Sequence, residues 1–261
     1  YEVEIGRLQA EIKERKDAHD LNPAQAKAFV AINHSFEQKQ VCLLHGVTSS
    51  GKTEVYIHLI QKCIDEGKQV LYLLPEIALT TQITERLKRV FGEKLGVYHS
   101  KFSDAERVEI WKKQLSNNPY QILLGVRSSI FLPFQNLGLV IVDEEHETTY
   151  KQQDPAPRYH ARDAVIVLAH MSEANVLLGT ATPSIETWYN VQTQKYGLVQ
   201  LTERYKEIEL PEIIPVDIQE LKRKKRMSGQ FSPLLLSSVR EALENKEQVI
   251  LFQNRRGFAP I

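Results

Sequence analysis

The residue spacing that carries the most specific chemistry here is Gly46-Val47-Thr48-Ser49-Ser50-Gly51-Lys52-Thr53. The G-x-x-x-x-G-K-T pattern follows an apolar run and opens a helical stretch. In that context backbone N–H groups converge on phosphate oxygens and a helix N-terminus adds a favourable dipole. Lys52 is placed to reach the β- and γ-phosphates, and the Thr53 hydroxyl to ligate magnesium. The implied ligand is a nucleoside triphosphate with magnesium, ATP above all. A second constellation lies at Leu139-Val140-Ile141-Val142-Asp143-Glu144-Glu145-His146. An apolar strand ending in acidic residues is the expected partner of such a loop. Asp143 would hold magnesium, directly or through water, and Glu144 would position or deprotonate the attacking water. Phosphoryl transfer puts charge on phosphoryl oxygens, so such sites are usually completed by an arginine. Nothing in residues 41–205 identifies it.

These residues need rigid elements behind them, and the hydrophobic pattern supplies them. Apolar runs at 41–45, 69–74, 95–99, 121–125, 137–143 and 175–179 read as strands. Between them lie helical stretches at 52–66, 77–91, 103–115 (Trp111 on its apolar face) and 162–171, and a further helix starts at Pro183. Strands apolar throughout imply burial on both faces, the signature of a mostly parallel sheet with helices on both sides. The spacing predicts a doubly wound α/β domain over 21–205. Residues 1–20 read as a linker helix from a missing N-terminal region, and 206–231 as a linker. The basic run Lys222-Arg223-Lys224-Lys225-Arg226 is a solvated loop or a nucleic-acid contact. A helix at 232–247 and a strand at 248–253 open a second, truncated α/β unit within 232–261. The chain starts at Tyr1 and stops at Ile261, which reads as a piece of a longer protein.

Composition narrows the class. The chain has 261 residues with 33 basic and 33 acidic side chains, so overall charge argues for no partner. Cys42 and Cys63 form no C-x-x-C pair, which removes a zinc site and a disulfide framework and points to buried thiols in a reducing cytoplasm. No apolar run approaches the roughly 18 residues of a membrane span, and no signal peptide opens the chain.

Two further motifs carry a resemblance. Asp143-Glu144-Glu145-His146 and Gly179-Thr180-Ala181-Thr182-Pro183 look like the acidic box and the Ser/Thr-Ala-Thr motif of second-superfamily helicases and translocases. Longer segments sharpen it: Gly46 through Tyr56, Leu74 through Thr80, Gly125 through Phe134, Asp143 through Gln152, Pro157 through Asp163, and Asn254 through Pro260 resemble the primosomal replication-restart helicases. The resemblance covers about residues 20–261. Ser49 stands where that family usually has glycine, which strains the loop if the position needs positive φ. Glu147 replaces the usual aspartate.

The resemblance implies a RecA-like P-loop NTPase lobe plus the start of a second such lobe. It implies an ATP-dependent 3′-to-5′ DNA helicase of the bacterial cytoplasm and nucleoid, acting in primosome assembly and restart of stalled forks. ATP and magnesium are its cofactors, with zinc only in a downstream region beyond this chain. Branched or single-stranded DNA, other primosome proteins and single-strand binding protein are its partners, and no membrane is involved. Leu21 through Gln25 resembles the adenine-contacting segment, where the Gln25 amide meets the base edge, although Asn22 and Pro23 also suit a helix start. His146, Thr180 and Thr182 would couple nucleotide state to lobe movement, the threonine hydroxyls bonding to the acidic box. Residues 147–162 resemble the aromatic-rich loop that links DNA to hydrolysis. Tyr150 and Tyr159 would stack on bases, and Lys151, Arg158 and Arg162 would meet phosphates. Arg127 is a DNA-backbone contact, a motif-bridging residue or a structural ion-pair member. Two other readings stay open: another double-stranded DNA translocase of fork regression or repair coupling, and a non-catalytic nucleotide-dependent binding module. Alone, the chain is expected to bind ATP weakly and to unwind nothing.

Overall fold

The computed structural model describes residues 19–75, 81–99, 102–203 and 212–252. The chain divides into two compact units, Tyr1–Ile208 and Glu209–Ile261.

The first unit alternates helix and strand: α1 (Pro23–Gln38), β1 (Val41–Gly46), α2 (Lys52–Asp65), β2 (Gln69–Leu73), α3 (Thr81–Phe91), β3 (Leu95–Tyr98), α4 (Asp104–Leu115), β4 (Ile122–Gly125), β5 (Leu137–Asp143), α5 (Ala161–Met171), β6 (Asn175–Thr180), α6 (Ile185–Gln192) and β7 (Gly197–Leu201). The strands form one seven-stranded sheet in the order β3-β4-β2-β5-β6-β1-β7, and every pairing in it is parallel. Successive side chains leave a strand on opposite faces, and the apolar runs fill both. Cys42 and Leu44 of β1, Tyr72 of β2 and Ile141 of β5 pack on one face with Ile32 of α1, Ile60 of α2 and Leu87 of α3. Leu43, Leu71, Val140 and Val142 pack on the other with Val165 and Ala169 of α5 and Val191 of α6. Each fully buried Leu, Ile or Val among them is worth about 1.5–3 kcal/mol of transfer free energy. The expected parallel α/β architecture with helices on both faces is therefore what forms.

Parallel strands all end on one edge. With β5, β6 and β1 adjacent, the chain segments leaving their C-terminal ends are neighbours: the loop 46–53, the acidic box and the Thr-Ala-Thr segment. The register makes this concrete, setting Asp143 beside Gly179 and His45 beside Thr180. This edge, where the strand order reverses direction, is the crevice in which open α/β sheets bind ligands.

Some expectations fail for physical reasons. β7 was not foreseen because only one of its faces is covered: its burial alternates, whereas the foreseen strands are apolar throughout. Trp111 is half-exposed rather than packed, and Gln114 is the residue α4 buries. In the second unit, α7 (Ile218–Arg223) and α8 (Pro233–Glu244) are helical. The first lies inside the expected linker, capped by Asp217, whose side chain accepts from Glu220 N at 2.9 Å. The basic run occupies its exposed last turn and the residues after it. Residues 248–252 form no strand; a lone apolar run lacking a partner to take its backbone hydrogen bonds has no ladder to join. Both cysteines are free and buried as expected, burial raising the Cys42 thiol to about 11 and the Cys63 thiol to about 12. No helix among the described residues is long and apolar enough to cross a membrane. The linker helix at 1–20 (but for its last two residues), the helix start at 77–80 and the Asn254–Pro260 segment lie outside the described residues.

Candidate nucleotide-hydrolysis site

The loop after β1 is held from below. Asn22 caps α1 and Gln25 completes the capping box, with Pro23 in the first turn. Gln25 is 4% exposed. Its Oε1 accepts from Asn22 N at 3.0 Å, and its Nε2 lies 3.3 Å from both Ser50 O and Gly51 O. A side chain at Gly51 would collide with that amide, and Gly51 itself sits at φ +77°, so only glycine suits the position. Gln25 thus braces the phosphate-type loop from inside the protein. Ser49 adopts φ +64°, the left-handed conformation that the sequence warned would be strained for a non-glycine residue. Thr48 and Ser49 are exposed, and Val47 N donates to Leu201 O at 3.1 Å, tying the loop to β7.

The chemical groups converge above this loop. The α2 N-terminus has no side-chain cap, so its first-turn N–H groups keep their positive field for a ligand. Lys52 and Thr53 stand on that turn. Lys52 Nζ donates to Gly46 O at 3.0 Å and lies 4.0 Å from Glu144 Oε1. Ser50 Oγ is buried with no hydrogen-bond partner, a polar group costly to leave unmet unless something else occupies the site.

Asp143 ends β5, and its carboxylate is gripped by two tyrosines. Tyr56 Oη donates to Oδ1 at 2.9 Å and Tyr72 Oη to Oδ2 at 3.3 Å, while Glu144 N donates to Oδ1 at 3.2 Å. Desolvation, with Glu144 beside it, pushes the Asp143 carboxyl up to about 6. A carboxylate accepts at about four lone-pair directions, so three donors leave room for one more contact. Asp143 and the Thr53 hydroxyl are oxygen donors of the kind that suit magnesium, and with the unpartnered Ser50 hydroxyl the residues present fit a magnesium–phosphate group. Glu144 follows at φ +47°, a left-handed backbone that turns its side chain out of the strand direction. Thr180 Oγ1 donates to Glu144 Oε2 at 3.4 Å, and His146 Nδ1 lies 2.7 Å from Thr180 Oγ1. Thr182 Oγ1 lies 3.4 Å from His146 Nε2. The box and the Thr-Ala-Thr segment are therefore in direct contact through the residues expected to link them.

Of the DNA candidates, the structure separates exposed from interior. Tyr150 is 1% exposed, and its hydroxyl donates to Asp143 O at 2.7 Å and Leu73 O at 3.2 Å. No face is left for a base, so Tyr150 is a brace under the acidic box. Arg162 is 7% exposed and bonded to Glu145, Asp163 and Ser184, so it offers no free guanidinium to a phosphate. Arg127 donates from Nη1 to Thr149 O and Lys151 O, both at 3.1 Å, and so holds the loop base through carbonyls instead of an ion pair. Arg158 is exposed, Lys151 and Tyr159 are partly so, and Tyr159 meets Phe131 edge-to-face with centroids 5.0 Å apart.

Three residues went unforeseen. Tyr56 and Tyr72 look like core in an apolar stretch, although Tyr56 stands one helical turn after Lys52 and so shares its side of α2. Glu145 is wholly buried, and its partners lie far along the chain at Arg162, Ser184 and Thr187.

The profile of the DEAD/DEAH box helicases matches residues 22–191, more than half of the chain and the whole of this site. The chain belongs to the DEAD/DEAH box helicase family. Within that family it is similar to the replication restart protein PriA of Rickettsia felis, 42% identical over 264 aligned residues, covering 99% of this chain and 40% of the relative. The corresponding protein of Chlamydia trachomatis is 45% identical over 93% of this chain and 32% of its own length. That of Bacillus subtilis is 40% identical over 92% and 30%. This DEAD/DEAH box chain thus spans two fifths or less of these relatives' lengths. Its fold is shared with RecG bound to a three-way DNA junction (TM-score 0.51, 19% identity, 73% of this chain and 25% of that one). It is shared too with the Mycobacterium smegmatis helicase Lhr bound to single-stranded DNA and AMP-PNP (TM-score 0.52, 23% identity, 70% and 26%). The fold is the RecA-like α/β fold.

Proposed function

We propose that this chain is the ATP-binding lobe of a 3′-to-5′ DNA helicase that serves primosome assembly and the restart of stalled replication forks. The observation that carries the reading is the meeting of three segments at one sheet edge: Lys52 beside Glu144, Glu144 on Thr180, and Thr180 on His146. Similarity to replication restart proteins over more than nine tenths of the chain supports the biological assignment. In this reading residues 21–205 are the first RecA-like lobe, 206–231 a linker and 232–261 the opening of a second lobe, with 1–20 leading in from a preceding region.

The chemistry assigned to the residues follows from their positions. The α2 N-terminus and the loop N–H groups bind the phosphates, and Lys52 leaves Gly46 O to neutralise the β- and γ-phosphate oxygens. Magnesium, when bound, neutralises charge on those same oxygens, and Thr53 and Asp143 are the residues that would hold it. Glu144 orients the attacking water and takes its proton, while Thr180 and His146 fix the Glu144 carboxylate. Tyr56 and Tyr72 keep Asp143 in a single orientation, so little reorganisation accompanies the reaction. Arg158, Tyr159 and Lys151 are the DNA-facing candidates that remain. Branched or single-stranded DNA, other primosome proteins and single-strand binding protein are the partners, in the nucleoid, and zinc belongs to a downstream region of the longer protein. Taken apart from the rest of such a longer protein, the chain binds ATP weakly and does not unwind DNA.

Lys52→Ala in the full-length protein is expected to lower DNA-stimulated ATP hydrolysis by at least about 100-fold, the scale of removing one preorganised electrostatic group. Undiminished turnover would sink the assignment.

A further inference from the structure

Glu145 is the one residue of the acidic box that faces away from the nucleotide site. Its carboxylate is 0% exposed yet holds four hydrogen bonds. Ser184 N donates to Oε1 at 2.7 Å. Thr187 Oγ1 at 2.8 Å, Ser184 Oγ at 3.0 Å and Arg162 Nη1 at 3.0 Å all donate to Oε2. Arg162 Nη1 also reaches Ser184 Oγ at 2.6 Å. A buried carboxylate is stable only when paired and fully bonded, so these partners are an obligatory set. With Glu145 itself they tie together three places: the acidic box, the first turn of α5, and the N-terminus of α6 just beyond Thr182.

The α5 turn is where the surface loop 151–160 returns to the fold. That loop is closed at its base by an antiparallel bridge between Lys151 and His160 and by Gln152 N donating to Tyr159 O at 2.9 Å. Arg127 grips the chain on the entering side through Thr149 O and Lys151 O. A load on the loop therefore reaches Arg162 two residues past the bridge, and Arg162 is bonded to the neighbour of Glu144. Glu145 N in turn donates to Gly179 O at 3.1 Å, which locks the box to β6.

We propose that Glu145, through Arg162, Ser184 and Thr187, is a positioning residue that transmits the state of the 151–160 loop to Glu144 and the Thr-Ala-Thr segment. Its carboxylate is wholly buried and bonded to Arg162, Ser184 and Thr187. This rests on the proposed reading of the site as an ATPase stimulated by DNA bound at that loop. The knot sets where Glu144 stands relative to Lys52 and Thr180, so loosening it slows the stimulated chemical step without weakening nucleotide binding.

The test uses the full-length protein, with ATP turnover measured with and without a saturating forked DNA duplex. Glu145→Gln keeps the shape but removes the charge that faces Arg162. The expected result is a DNA-stimulated kcat lowered at least tenfold with the KM for ATP within about twofold. Arg162→Lys, which keeps a charge but loses the fork geometry, should lower stimulated kcat in the same way, and the double variant should be no worse than the poorer single one. A merely structural role predicts a lower melting temperature with stimulated kcat per folded molecule unchanged, and that result overturns the proposal. Additive losses in the double variant overturn it as well. Should Glu145→Gln fail to fold, Thr187→Ala removes one donor only, and an unaltered stimulated kcat there is equally fatal. Lys52→Ala, run alongside, reports on the nucleotide site itself. Retained turnover in that variant defeats the functional reading, whereas loss there with normal stimulation in the Glu145 and Arg162 variants defeats only the transmission.

Discussion

Replacing Gly179 by alanine puts the grip on Asp143 to a direct test. Gly179 sits on β6 opposite Asp143 in the sheet register. A Cβ there would penetrate Tyr56 Oη and stand 2.9 Å from Tyr56 Cζ and 3.4 Å from Asp143 Oδ1. Tyr56 is 0% exposed and packs edge-to-face on Tyr72 with centroids 5.7 Å apart, so its ring cannot simply step aside. Displacement breaks the 2.9 Å bond to Asp143 Oδ1. A hydrogen bond to a charged group is worth about 1.5–3 kcal/mol. Overpacking a well-filled core costs about 1–3 kcal/mol more. Alanine recovers about 0.4–1 kcal/mol through the unfolded chain, so Gly179→Ala is expected to destabilise by about 2–5 kcal/mol. At about 2–4 °C per kcal/mol for a domain of this size, the melting temperature falls by roughly 10 °C. Urea unfolding of the chain followed by far-UV circular dichroism measures the free-energy loss, and thermal unfolding the shift in melting temperature. Tyr56→Phe added to Gly179→Ala removes the atom that clashes hardest, so the double variant should be at least about 1 kcal/mol more stable than the two single losses summed. A Gly179→Ala variant within about 0.5 kcal/mol of the parent, or strictly additive losses, would refute the geometry.

Two other outcomes follow from the same structure. Ser49→Gly relieves a left-handed residue that costs about 1–2 kcal/mol but adds about 0.5–1 kcal/mol of unfolded-chain entropy, so a net gain of up to about 1.5 kcal/mol should appear in urea unfolding; a loss would mean the serine side chain has a structural role. The thiols of Cys42 and Cys63, buried and raised to about 11 and 12, should stay unreactive toward a thiol-specific disulfide reagent at pH 8 in the folded chain and react fully in denaturant, while rapid native labelling would contradict their burial.

The architecture was readable from the sequence because β1, β2, β4, β5 and β6 are buried on both faces along most of their length, so their central residues are apolar without alternation. The loop 46–53 and the acidic box were readable because phosphate chemistry needs those residue types in that order. What stayed hidden depended on contacts between distant segments. Tyr56 and Tyr72 contribute one polar atom each from otherwise apolar surroundings, and only the fold brings those atoms to Asp143. Glu145 reads as a third solvated acid at a strand end until Ser184 and Thr187, some forty residues on, enclose it. Tyr150 and Arg162 have the right types for stacking and phosphate contact, yet the same types also serve as internal braces, and burial decides between the two uses. The run at 248–252 is apolar enough for a strand, but pattern alone says nothing about whether a neighbour exists to pair with it.

The Lys52 ammonium is already engaged with the Gly46 carbonyl and stands near Glu144. An incoming phosphate therefore exchanges partners with a lysine that is partly neutralised, rather than meeting a bare cation. Such an exchange changes the local charge less than capture by an unpaired lysine, so nucleotide affinity should fall less steeply with ionic strength than the charge of a triphosphate alone suggests. The same exchange runs in reverse when product leaves, since the carbonyl is in place to take the ammonium back.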